Sequence, residues 1–200
     1  ISTMDTVRDL DLLRGLAGDA KLNYFGASYG TRIGALYAEM YPQRVGRMIL
    51  DGAVDVNNSS KITQVDGFER ALHHFAQWCA EDNCRMGSQQ DDVIHVIKDF
   101  LDRLDQQPLK ASDDRTLSQQ QGVEAVFYSM YGGTSSWPML REALDEAIFD
   151  KDGSKMLQLA DASDRRNRDG SYGQLNYAFP AIRCLDSQDN SVRAAEKRLA

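Results

Sequence analysis

Apolar positions along this chain recur with two different periods, and the change from one to the other divides it. Leu10, Leu13 and Ala17 fall at i, i+3 and i+7 behind Ser2, with Asp5 three residues on, which predicts a helix closing at Gly18. Residues 22–25, Leu-Asn-Tyr-Phe, then read as a buried strand. Helical spacing returns over residues 31–41 through Ile33, Leu36, Tyr37 and Met40, until Tyr41-Pro42 stops it. Residues 45–50 form a second apolar run, closed by Asp51-Gly52. Helix, strand, turn, helix and strand make one doubly wound α/β segment with a parallel sheet.

Beyond Val54 the pattern is helical. A polar linker, Asn57-Asn58-Ser59-Ser60, precedes a stripe of Val65, Phe68, Leu72, Phe75, Ala76 and Cys79, and a second of Val93, Ile97, Phe100 and Leu104. Further helices are predicted over residues 118–130, 137–149 and 154–161. Residues 111–115 read as a polar turn and 164–173 as an exposed loop. No strand is expected after residue 54 until a return strand over 179–184, and a last helix runs from Ser191. The domains expected are therefore a partial α/β core at 1–56, a mostly helical region at 57–187, and a helix at 188–200 returning toward the core.

The candidate chemistry sits where the first strand meets its helix, in Gly26-Ala27-Ser28-Tyr29-Gly30. A serine at the tip of a tight strand-to-helix turn takes an unfavourable backbone conformation, and side chains two residues to either side would collide. Glycine at 26 and 30 removes them, and Gly34 lets the helix lie close to its strand. Ser28 is thus the candidate nucleophile, against the alternative of an ordinary loop serine. At a helix N-terminus the backbone N–H of Tyr29 becomes the expected oxyanion donor. A serine alcohol needs a base, yet His73, His74 and His95 all fall in predicted helices of the second region. Asp51, at a strand end, is either a triad acid or a cap on the turn, and the cap is the reading taken.

Thirty acidic against 23 basic residues give a net charge of −7, which argues against nucleic acid or an anionic membrane as partner and suits a cationic ligand end. No apolar run approaches the roughly 20 residues of a membrane span. Residue 1 is Ile and no signal peptide precedes it, so the chain reads as part of something longer. Cys79 and Cys84 are close enough to bridge across a turn; zinc competes, with His74 as its one plausible third ligand and no fourth, and no metal or other cofactor is expected.

The stretch from Asn23 to Thr31, followed by Tyr41-Pro42 and Ile49-Leu50-Asp51-Gly52, resembles the tripeptidyl-aminopeptidase-type serine peptidases of the α/β-hydrolase superfamily, relatives of the proline iminopeptidases. The likeness continues through Phe75-Ala76-Gln77-Trp78-Cys79, Trp137-Pro138-Met139-Leu140 and Ala181-Ile182-Arg183-Cys184-Leu185-Asp186. It implies an α/β fold, a partial α/β-hydrolase core with a nucleophile elbow followed by a mostly helical lid. It also implies a secreted or cell-surface bacterial exopeptidase that needs no metal and takes a peptide or protein N-terminus. The second oxyanion N–H would come from strands before residue 1, and the catalytic Asp and His from strands after residue 200.

Such an enzyme needs carboxylates to receive the substrate's α-ammonium. Glu124, Asp161, Asp164 and Asp186 are the candidates, with Asp186 favoured. Tyr128, Tyr131, Trp137 and Tyr177 are possible pocket walls, with core packing the default for each. A Cys79–Cys84 disulfide fits an exported protein and contributes about 2 kcal/mol through chain entropy. Two other functions remain open: an esterase or lipase-like hydrolase, and a catalytically incomplete binding or lid fragment.

Overall fold

A computed structural model describes residues 2–57, 63–186 and 191. They fall into two units: the first within Ile1–Lys61 and Gln174–Ala200, the second within Ile62–Gly173.

The first unit begins with helix α1 (Thr3–Leu16), which Ser2 opens with the expected capping box: its side chain accepts from Asp5 N–H while the Asp5 carboxylate accepts from Ser2 N–H. Strand β1 (Leu22–Ala27) leads through Ser28 into helix α2 (Tyr29–Met40), and strand β2 (Val45–Asp51) pairs parallel to β1 with Tyr24 opposite Met48 and Gly26 opposite Leu50. Gly34 is where α2 meets the sheet: a Cβ there would stand 2.6 Å from Leu50 and 2.8 Å from Tyr24. The expectation that residues 22–25 are buried is not met. Tyr24 turns toward α2, but Phe25 and its partner Ile49 point the other way and are 66% and 63% exposed, because no described element covers that face.

The second unit is helical. Helices α3 (Gln64–Glu81) and α4 (Gln90–Gln106) pack together, and α5 (Gln119–Tyr131) lies against α4 and against α7 (Ser154–Ser163). Between them, α6 (Trp137–Asp145) runs on into a π-helical turn, Glu146–Asp150, ended by Lys151 in the left-handed region. The stripe on α4 is buried as its spacing predicts, at Val93, Ile97, Phe100 and Leu104; on α3 the buried residues are Phe75, Ala76 and Cys79, whereas Val65 stands exposed in the first turn. Capping boxes at Thr63/Asp66 and Ser118/Gln121 start α3 and α5. Trp137 joins Trp78 and Phe75 in an aromatic group with centroids 5.7–6.2 Å apart, its default role.

Two further sequence expectations are corrected. Strands do occur early in the second region: β3 (Leu109–Lys110) and β4 (Thr116–Leu117) form a minimal antiparallel hairpin whose turn is made possible by positive φ at Asp113 and Asp114. The return strand at 179–184 is a helix, α8 (Leu175–Asp186), because Ala178, Ile182 and Leu185 repeat at helical spacing and outweigh the internal Pro180. By packing, α8 groups with the first unit. The helix expected at 188–200 lies outside the described residues apart from Ser191.

Candidate active site

Strand β1 delivers the chain to Ser28 with φ 50° and ψ −118°, a conformation costly for any residue with a side chain. Three hydrogen bonds hold it there directly and two more brace the turn around it. Ser28 N–H donates to the Asp51 carbonyl at 2.9 Å, and the Ser28 carbonyl accepts from Thr31 N–H at 2.9 Å and from Thr31 Oγ1 at 2.6 Å. Thr31 is buried and also accepts from Val54 N–H at 2.9 Å, which fastens the loop after β2 to the turn. The Tyr24 hydroxyl donates to the Gly30 carbonyl at 2.8 Å; burial first, and then the neighbouring Tyr29, pushes its phenol upward, so the donor stays protonated.

Of the two glycines flanking Ser28, the structure makes one sterically indispensable. A Cβ on Gly26 would lie 2.5 Å from the Gly30 carbonyl oxygen, whereas one on Gly30 would meet only the Tyr24 hydroxyl at 3.3 Å. Gly26 therefore carries the steric demand. Ser28 itself is exposed and its side chain caps nothing, and Tyr29 N–H, at the first position of α2, has no hydrogen-bond partner among the described residues. A reactive oxygen beside an unsatisfied donor at a helix N-terminus is the arrangement that stabilises a developing oxyanion.

Asp51 contributes its carbonyl, not its carboxylate, to the turn. The histidines lie on α3 and α4 in the second unit, with His73 Nδ1 3.3 Å from Gln90 Nε2. The candidate α-ammonium ligands divide. Asp161 is held by Arg115 through two bonds of 2.6 and 2.7 Å, and Glu124 accepts from Ser163 Oγ. Asp164 stands near both, its carboxyl raised by burial first and then by Glu124 and Asp161. Asp186 ends α8 in the first unit, bound to Thr3 N–H at 2.9 Å and to the Thr3 hydroxyl, with Arg32 Nε 3.9 Å away. Tyr131 and Tyr177 are exposed.

Cys79 and Cys84 form the disulfide, with Cα atoms 5.1 Å apart, which removes them as zinc ligands. Among the described residues no cluster of three or more His, Cys, Asp or Glu is arranged around a metal, and no helix is long and apolar enough to cross a membrane. Sequence reasoning missed Thr31, Tyr24 and Thr3. A tyrosine inside an apolar strand and a threonine in the first turn of a helix are the only traces they leave.

A parallel strand, a strained serine turn guarded by glycine and a helix starting at the next residue place the chain, in fold, among the α/β hydrolases as a partial core joined to a helical region. The family described as the alpha/beta hydrolase fold matches residues 1–91. Among curated relatives, the serine protease Hip1 of Mycobacterium tuberculosis is 36% identical over 197 residues, covering 93% of this chain and 38% of its own length. Carboxylesterase B of the same organism is 35% identical over 199 residues, covering 98% and 38%. The tripeptidyl aminopeptidase of Streptomyces lividans is 36% identical over 85 residues, 40% of this chain and 16% of that protein. The chain thus spans less than two fifths of the length of the first two relatives.

Proposed function

We propose that this chain is the nucleophile-bearing part of a serine exopeptidase that releases short, tripeptide-like fragments from free N-termini. The observation that carries the proposal is the strained, exposed Ser28 beside a Tyr29 N–H that has no hydrogen-bond partner among the described residues. Ser28 Oγ attacks the scissile carbonyl while a histidine takes its proton, and the Tyr29 N–H receives the oxyanion. The histidine returns the proton to the leaving amine, and water hydrolyses the acyl-enzyme. The histidine, its aspartate partner and the second oxyanion donor are assigned to core segments of the longer protein on either side of this chain, since all three histidines here lie on α3 and α4.

Residues 57–187 are read as the lid and 188–200 as its return to the core. Glu124 and Asp161 are the carboxylates assigned to the substrate's α-ammonium, while the Asp186 carboxylate is bound to Thr3. Names of relatives support the peptidase reading, while the Cys79–Cys84 disulfide supports a secreted or cell-surface location. The esterase alternative rests on the likeness to carboxylesterase B over nearly the whole chain. A catalytically incomplete fragment is the reading for these 200 residues taken alone.

The test compares hydrolysis of a peptide p-nitroanilide with a free amino terminus, its N-acetylated counterpart and a p-nitrophenyl ester by the full-length protein. Selective cleavage of the free-amino peptide, lost by about 10⁴-fold or more in Ser28→Ala, is expected. Equal cleavage of free and blocked peptides, or of the ester alone, would refute exopeptidase action.

A further inference from the structure

The carboxylate of Asp186 is already occupied. Its Oδ1 accepts from Thr3 N–H at 2.9 Å, its Oδ2 accepts from Thr3 Oγ1, and Arg32 Nε lies 3.9 Å away. Thr3 is almost wholly buried, and 183 residues of chain separate it from Asp186. The placement is electrostatically selective. Asp186 closes α8, where the helix dipole disfavours a negative charge, yet it faces the N-terminus of α1, where Thr3 N–H is one of the donors that no helical carbonyl can satisfy. Ser2 and Asp5 satisfy each other in the capping box, and Asp186 supplies the acceptor that box leaves out.

The same threonine reaches the catalytic turn. Thr3 Oγ1 is hydrogen-bonded to the Tyr29 hydroxyl. A carboxylate only accepts, so the single Thr3 proton goes to Asp186, and Tyr29 O–H must be the donor to Thr3. The chain of bonds runs one way, Tyr29 O–H to Thr3 Oγ1–H to Asp186, each member polarising the next. Tyr29 is 40% exposed, so packing alone does not fix it. The other contacts at the turn restrain Ser28 N–H, the Ser28 carbonyl and the Gly30 carbonyl; among the described residues this relay is the hydrogen-bonded restraint on the Tyr29 side chain.

We infer that Asp186 is a positioning residue for the nucleophile turn and not a ligand for substrate: through Thr3 it anchors Tyr29, and so sets the direction of the backbone N–H that receives the oxyanion. The inference rests on the serine-hydrolase reading of Ser28. A strained peptide keeps its geometry only when its surroundings over-determine it, and the anchor adds a side-chain contact at Tyr29 to those that Asp51, Thr31 and Tyr24 make at the turn. It also couples the turn to the point where the chain, having passed through the second unit, rejoins the first.

The experiment measures, in the full-length protein, the rate of Ser28 labelling by a fluorophosphonate and the kcat and KM for the free-amino and N-acetylated peptides. Thr3→Val, Tyr29→Phe and Asp186→Ala are each expected to slow labelling and lower kcat by about tenfold, less than the ~10²–10³ lost with an oxyanion donor itself, with KM changed less than twofold. Thr3→Ser, which keeps the hydroxyl, restores the rate. Thr3→Val combined with Asp186→Ala is no slower than Asp186→Ala alone, as members of one chain of bonds should behave. Should Asp186→Ala fail to fold, Thr3→Val and Tyr29→Phe with the serine rescue decide the matter.

Unchanged labelling in Thr3→Val and Tyr29→Phe overturns the inference. So does an Asp186→Ala variant whose labelling is normal while KM rises for the free-amino peptide only, since that is the signature of an α-ammonium ligand. Absence of labelling in the wild-type protein, equal to that of Ser28→Ala, refutes the serine-hydrolase reading itself and takes this inference with it.

Discussion

The two units of this chain are held together by different means. In the second, every member of the buried apolar cluster lies between Phe75 and Ala160, drawn from α3 to α7. In the first, Val7 and Tyr37 are the only buried large apolar side chains among the described residues, while Leu12, Leu13, Leu16, Phe25 and Ile49 stand at 60% exposure or more. What the first unit has in place of a core is a set of directed contacts around Ser28 and several places where backbone approaches backbone or ring too closely for a Cβ. The helical unit is built by filling space and the catalytic turn by keeping it empty. The first is robust to rearrangement of polar groups and sensitive to lost volume; the second is the reverse.

That contrast is sharpened most by removing volume. Leu144 on α6 is fully buried within the cluster, and Leu144→Ala should cost about 2–5 kcal/mol, read as a fall in the denaturant midpoint. Phe25→Ala removes more atoms from an exposed site and, in this chain, should cost under about 1 kcal/mol. Equal losses would mean that the face of β1 carrying Phe25 is as well packed as the helical core. The converse test adds volume. Gly26→Ala sets a methyl 2.5 Å from the Gly30 carbonyl oxygen, a backbone atom that gives way only if the turn moves, and overpacking of this kind costs about 1–3 kcal/mol. Its clearer readout is Ser28 labelling by a fluorophosphonate in the full-length protein, expected to fall by more than Gly30→Ala, where a Cβ would meet only a hydroxyl at 3.3 Å.

How much of this was legible in the sequence follows the same division. The stripe of Val93, Ile97, Phe100 and Leu104 could be read because burial in a helical core repeats every three or four residues, and all four are buried. Ser28, Gly26 and the strand-turn-helix around them could be read because steric necessity leaves a mark at fixed spacing. Contacts between distant residues leave no such mark: Thr3 meets Asp186 across 183 positions, and nothing local to either predicts the other. The misreading of 179–184 as a strand is of a different sort. Phe179 to Cys184 is short and largely apolar, and a short apolar run has no period of its own; only the longer spacing of Ala178, Ile182 and Leu185 reveals the helix.

A smaller effect tests whether the second unit owes its stability to packing or to its crosslink. The Cys79–Cys84 bridge closes a loop of only a few residues at the end of α3, for which chain entropy gives about 2 kcal/mol. Cys79→Ser/Cys84→Ser should lower the melting temperature by about 4–8 °C, the shift of that free energy in a domain of this size. Loss of cooperative unfolding in place of a shift would show that the helices depend on the bridge and that the contrast drawn from buried volume is overstated.

The smallest effect concerns charge within the packed unit. Asp145 lies at the end of α6, where burial raises its carboxyl above the ordinary value of 3.8 against the pull of Arg85 and Arg141, and its Oδ1 is buried with no hydrogen-bond partner among the described residues. A carboxyl with a raised folded pKa holds its proton more tightly folded than unfolded. Its contribution therefore turns unfavourable as pH rises from 3.8 through the folded value, and the full cost is present above that. Asp145→Asn removes the ionisation and should raise the melting temperature by about 1–2 °C near pH 7. Near pH 3, where the wild-type group is protonated in both states, the two proteins should melt together. A destabilised variant at neutral pH would mean that attraction to Arg85 and Arg141 outweighs burial, and that directed polar contacts matter in the packed unit as they do around Ser28.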